Sequence, residues 1–131
     1  MFESLEPFVG YADGASRSTQ NLSSAPWAIF SPNGELVIFQ GICIIRSTNN
    51  IVDYSALIEL IFDATSFIIN RIIIRLDSQL VVLQVTSIYT VRNTTLHRMF
   101  LRVRLLERHF DFIQYKHISR NFVIFLKLAC N

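Results

Sequence analysis

The feature that most constrains the fold is a six-residue run, Arg71-Ile72-Ile73-Ile74-Arg75-Leu76, that stops abruptly at Asp77-Ser78. It is β-branched, too short for a helix and long enough to cross a sheet. Before it, apolar residues recur at helical spacing from about residue 51 to 67, with Leu57, Leu60, Ile61, Ala64 and Phe67 or Ile68 on one stripe and Glu59 and Asp63 on the outer side. Ser47-Thr48-Asn49-Asn50 supplies residues suited to capping that helix. Residues 7–12, 27–30 and 35–45 read as strands, the last two joined by a Pro32-Asn33-Gly34 turn, with polar residues 16–24 as a loop. Short helices are expected at 78–85 and 95–109, the second with Leu96, Met99, Phe100, Val103 and Leu106 inward and its arginines outward. A strand at 111–117 and a terminal helix at 121–130 complete the order βββαβααβα. This is an α/β domain, a five-stranded mixed sheet flanked by helices.

At 131 residues the chain suits one domain. It is 51% hydrophobic and only 17% charged, which excludes a disordered tail. Its apolar stretches are interrupted by Gln40, Glu59, Asp63, Asn70 and Arg71, short of the roughly 18–20 uninterrupted residues that a membrane span needs. The start, MFESLEPF, carries Glu3 and Glu6 and no basic cluster, unlike a signal or transit peptide. Cys43 and Cys130 cannot make a disulfide framework, and Cys43, inside an apolar run, reads as a core residue. The expected compartment is intracellular, nuclear or cytoplasmic. Charge is uneven: Arg92, Arg98, Arg102, Arg104, Arg108, Lys116, Arg120 and Lys127 are opposed over that stretch only by Glu107 and Asp111. Such a half is either a polyanion-facing surface or a solvated helix face.

Three carboxylates stand where solvation alone would not put them. Asp53 lies four residues before Leu57 and seven before Leu60, on the sheet-facing stripe, where a carboxylate needs a compensating cation or donors. Asp77 follows the central strand run, and Asp13 ends the first strand. Crevices outside strand ends are common ligand sites in α/β sheets. Singly, Asp13-Gly14 reads as a turn, Asp77 as a helix cap and Asp53 as a first-turn residue facing the helix dipole. Together they read as an oxygen-donor site for a hard cation, Mg²⁺ or Mn²⁺, which can activate water and stabilise a leaving phosphate oxygen. His97, His109 and His117 lack zinc-site spacing, and no phosphate-cradling glycine motif or nucleophile elbow occurs.

Tyr11-Ala12-Asp13-Gly14-Ala15-Ser16, Thr48-Asn49-Asn50 with Asp53-Tyr54 and Ala56-Leu57, Asp77-Ser78-Gln79-Leu80-Val81-Val82, and Lys116-His117-Ile118-Ser119-Arg120-Asn121 occur in that order. In this set the chain resembles type 1 ribonuclease H, in the branch found in plant proteins and retrotransposon polyproteins, over nearly its whole length. The resemblance implies an RNase H-like fold and cleavage of the RNA strand of an RNA–DNA hybrid, with divalent ions held by four carboxylates. Asp13 and Asp77 match two of these, and Asp53 stands where the family has Glu. It further implies that Asn49, Asn50 and Gln79 meet the hybrid's minor groove, where 2′-hydroxyls are displayed. Arg98, Arg102 and Arg104 would face duplex phosphates. The partner implied is RNA–DNA hybrid or other nucleic acid, not a membrane, with the chain a monomer or part of a larger polyprotein.

Three departures bear on turnover. Asp at 53 is one methylene shorter than Glu. The fourth carboxylate's position falls on Leu126 or Lys127, neither of which binds Mg²⁺. Arg17-Ser18-Thr19-Gln20-Asn21-Leu22 replaces the family's glycine-rich stretch. The run from Phe122 to Leu126 has no amphipathic period, and a helix truncated at Asn131 is expected. These features predict weakened or lost activity. The alternative is a catalytically inactive, retroelement-derived domain that binds nucleic acid or a protein partner.

Overall fold

The fold is taken from a computed structural model, in which the structure describes residues 6–13, 16–17, 22–45 and 47–119. The expected helix at 121–130, with Leu126 and Lys127, lies outside the described residues. Strand β1 (Phe8–Ala12) runs antiparallel to β3 (Leu22–Phe30), with Tyr11 opposite Ala28. A two-residue strand, β2 (Ser16–Arg17), pairs with β3 at Ser24 and Ser23, and β4 (Leu36–Ile45) pairs with β3 over its whole length. Because β1 meets β3 at residues 27–30 and β2 meets it at 23–24, the two short strands share one edge of β3 around Asp13. On the other side of β1, β5 (Arg71–Leu76) is parallel to it, and β6 (Phe112–His117) is parallel to β5. The result is a mixed sheet of five strand positions, the fold class expected.

The sequence places 16–24 in a loop and starts the second strand at Trp27, whereas β3 begins at Leu22. Leu22-Ser23-Ser24-Ala25-Pro26 has little β propensity of its own. Pairing with β4 along its full length supplies what local preference lacks. Cys43 is exposed, not a core residue. Alternation along β4 sets it on the same face as exposed Phe39, while Ile38, Ile42 and Ile44 pack against the core.

Helix α1 (Asn49–Ser66) lies across the sheet. Leu57, Leu60, Ile61 and Ala64 are buried as the stripe predicts, and Val52 is buried with them. Close approach requires Gly10, since a Cβ there would stand 2.9 Å from Leu60 Cδ2. Trp27 pins the helix from the sheet side, its Nε1 donating to Asp63 Oδ2 at 2.6 Å. Helices α2 (Gln79–Val85) and α3 (Thr94–Glu107) follow β5. Ser78 caps α2, its hydroxyl accepting from Val81 N, and Asn93 caps α3 by accepting from Leu96 N.

Phe67 and Ile68 do not continue the inward stripe; they are 52% and 89% exposed. The helix ends there. Ile68 takes φ 59°, with Ile68 N donating to Thr65 O and Ile69 N to Ala64 O, so Ile69 is the next side chain to be buried. That paired return is a C-terminal motif usually built on glycine, because a left-handed conformation costs an L-residue about 1–2 kcal/mol. A β-branched, exposed side chain carries this strain without compensating burial. Replacing it, Ile68→Gly, is expected to stabilise the chain by about 1 kcal/mol, less than the full strain because glycine raises unfolded-state entropy. Urea unfolding midpoints check this; an unchanged or lower midpoint contradicts it.

Candidate active site

Parallel pairing of β1 with β5 sets Ala12 beside Leu76, and pairing of β5 with β6 sets Leu76 beside His117. Asp13 and Asp77 are the residues that follow Ala12 and Leu76, so they leave neighbouring strands at one end of the sheet. Asp13 is fully buried, and its amide donates to Pro26 O at 3.1 Å, which extends the β1 line past the strand's end. Asp77 lies between Leu76 and the Ser78 cap of α2, partly exposed.

Asp53 is on the inner face of α1 and only 7% exposed, as its spacing requires. The helix begins at Asn49, after Thr48 accepts from Ile51 N, so Asp53 belongs to the second turn and not the first. Asn49 and Asn50 open α1 and Gln79 opens α2, with Asn49 and Gln79 exposed. Among the described residues, no three His, Cys, Asp or Glu side chains stand close enough to hold an ion as a group.

Carboxylate oxygens nevertheless suit a hard cation, and Mg²⁺ is commonly held by one or two protein carboxylates, with water and substrate phosphate completing its shell. Asp13 and Asp77, on adjoining strand ends, fit that smaller donor set. His117 stands in the last of the quoted motifs, where the sequence reading gave it no role. It ends β6, and its Nε2 stands 3.2 Å from Asp77 O, a hydrogen bond when that nitrogen carries the proton. The signal that finds it is its place at a strand end, not any spacing to another histidine.

The three candidate arginines of α3 divide. Arg98 and Arg102 are exposed. Arg104 does not face outward as expected: it folds onto the protein. Its Nη1 meets Glu107 Oε2 at 2.8 Å, and its Nη2 donates to Val85 O at 2.6 Å and to Ser87 Oγ at 3.0 Å. Its guanidinium also lies 4.4 Å from the Phe100 ring centroid. Glu107 in turn accepts from Tyr115 Oη at 2.5 Å. Arg104 thus ties α3 to the end of α2 and, through Glu107, to β6. Nearby, fully buried Tyr54 donates to Gln84 Oε1 at 2.8 Å.

Adjacent acidic strand ends and a helix N-terminus bearing amides sit on an α/β domain with a mixed sheet of five strand positions. The family profile described as Reverse transcriptase-like matches residues 11–129. Ribonuclease HI of Halobacterium salinarum is 36% identical over 110 residues, which make up 84% of this chain and 55% of that protein, so the chain spans about half the length of that relative. The crystal structure of RNase H1 from Halobacterium salinarum is similar at TM-score 0.82 and 34% identity, covering 89% of each chain. LC11-RNase H1, solved in complex with RNA/DNA hybrid, has TM-score 0.84 at 23% identity, covering 93% of this chain and 92% of that one. The N-terminal RNase H domain of a Mycobacterium tuberculosis protein reaches 0.86 at 23% identity, covering 94% of this chain and 89% of that one. The chain belongs to the ribonuclease H family. Members of that family generally depend on a divalent metal ion. No helix among the described residues is long and apolar enough to cross a membrane.

Burial pushes the Tyr54 phenol up to about 12 from its ordinary 10.0, with Arg104 pulling the other way. Burial, and then the bond to Glu107, raise Tyr115 as well. Raised phenols keep their protons in the folded chain when the unfolded chain has begun to lose them. Their stabilisation is therefore complete below about pH 10 and declines as pH rises toward and past 12. Urea unfolding between pH 8 and 12 should show a plateau and then a fall, shallower in Tyr54→Phe. A profile in Tyr54→Phe as steep as in the parent would contradict the assignment.

Proposed function

We propose that the chain binds RNA–DNA hybrid and hydrolyses the RNA strand, with turnover lower than a full carboxylate set would support. One observation carries this reading: the in-register parallel pairing of β1 and β5, which delivers Asp13 and Asp77 to adjoining strand ends. A divalent ion, Mg²⁺ or Mn²⁺, would be held by Asp13 and Asp77, with Asp53 as the third candidate ligand, and would supply activated water and charge stabilisation at the leaving oxygen. Asn49 and Asn50 at the start of α1, and Gln79 at the start of α2, would orient the duplex. Each amide can both donate to and accept from ribose 2′-hydroxyls in the wide minor groove. His117, beside the Asp77 carbonyl, would carry a proton to or from the departing product. Arg98, exposed on α3, remains available to phosphate. Nuclear or cytoplasmic residence, where such hybrids occur, belongs to this proposal.

The inactive nucleic-acid-binding alternative is favoured by one specific sequence feature, Leu126 or Lys127 where the family has its fourth carboxylate. A labelled hybrid incubated with Mg²⁺ or Mn²⁺ separates the two. Under the nuclease reading the RNA strand is cut, Asp13→Asn and Asp77→Asn each fall to background, and Asp53→Glu accelerates cutting by about ten- to a hundredfold by restoring reach. Salt-sensitive hybrid binding with no cutting in the parent or in Asp53→Glu would establish the alternative.

A further inference from the structure

A groove of about 330 Å³ runs between α1 and α3, lined by Ile58, Glu59, Phe62, Arg102 and Leu106. Ile58 and Leu106 floor it, while Phe62 is 57% exposed. Leu105, the residue before Leu106 on α3, is 56% exposed and adds to the apolar surface. Single exposed apolar residues are ordinary, but an apolar centre with charged margins marks an interaction surface. Its chemistry is informative because it has both signs. Glu59 and Arg102 line the same groove, and no salt bridge joins them. A groove of one sign suits a foreign partner of the other sign. An apolar centre with one anion and one cation is complementary to itself, because a two-fold axis brings residue i against j and j against i.

We propose that this groove is the contact between two copies of the chain. Phe62 of each copy sits over the Ile58–Leu106 floor of the other, and Glu59 of each meets Arg102 of its partner, twice across the axis. The arrangement moves Arg102 from the phosphate-facing set to the interface. It also replaces the expectation of a monomer. The contact does not use the strand-end carboxylates, so it stands or falls independently of the nuclease reading.

Analytical ultracentrifugation of the full chain over a range of micromolar concentrations tests the proposal, with circular dichroism to establish that each variant is folded. The parent should show a concentration-dependent monomer–dimer equilibrium. Phe62→Glu, at an exposed position, should be monomeric. Glu59→Arg and Arg102→Glu should each weaken the dimer by at least about tenfold, since each sets like charges against one another. The double variant E59R/R102E should restore it, because exchanging both signs recreates both pairs. A parent that stays monomeric at about 100 µM, a weak affinity on the usual scale, would overturn the proposal. So would a dimer indifferent to both single charge reversals, or a folded double variant that dimerises no better than either single one.

Discussion

Parallel hydrogen bonding between β1 and β5 is the constraint on which the rest of the structure depends. Its register, Gly10 beside Ile74 and Ala12 beside Leu76, decides which side chains face α1. Side chains alternate faces along a strand, so a slip of one residue would take Gly10 away from Leu60 and present Tyr11 or Val9 to the helix. The helix could not then lie as close. The slip would also separate Asp13 from Asp77 by a further residue along the sheet. Core packing and the acidic strand ends are therefore specified together: the buried Ile72, Ile74 and Leu76 that fix the register also position the carboxylates.

Around that centre, polar side chains join the elements. Asp63 receives the Trp27 indole, Gln84 receives the Tyr54 phenol, and Arg104 and Glu107 gather α2, α3 and β6. Partly buried charge that is hydrogen-bonded in this way fixes relative orientation more than it adds stability. Arginine on α3 thus serves several ends. Arg104 is structural, Arg102 edges a groove, and Arg98 stands in solvent, although all three belong to one basic stretch of sequence.

Much of this was legible from residue order. The strand 71–76 coincides with β5, and the apolar stripe of α1 is buried from Leu57 to Ala64, because in both the pattern of burial is the pattern of sequence. What escaped reading depended on contacts distant in the chain. Leu22–Pro26 is a strand only because β4 pairs with it; Cys43 is exposed because of its face within β4; Ile68 ends a helix in a conformation its own side chain disfavours. Asp13 and Asp77 could be chosen by position after strands, whereas His117 stood in a quoted motif without an assigned role and Arg104 gave no sign of its inward partners. The shortened side chain at 53 was visible in sequence.

Trp27 is the sole tryptophan, 3% exposed and bonded to Asp63 across the sheet–helix boundary. Its intrinsic fluorescence is therefore an unambiguous optical probe of one event, the seating of α1 on β3. Because indole emission shifts to longer wavelength when water reaches the ring, kinetic traces at this single chromophore would time the docking of the helix separately from formation of the sheet's distant edge.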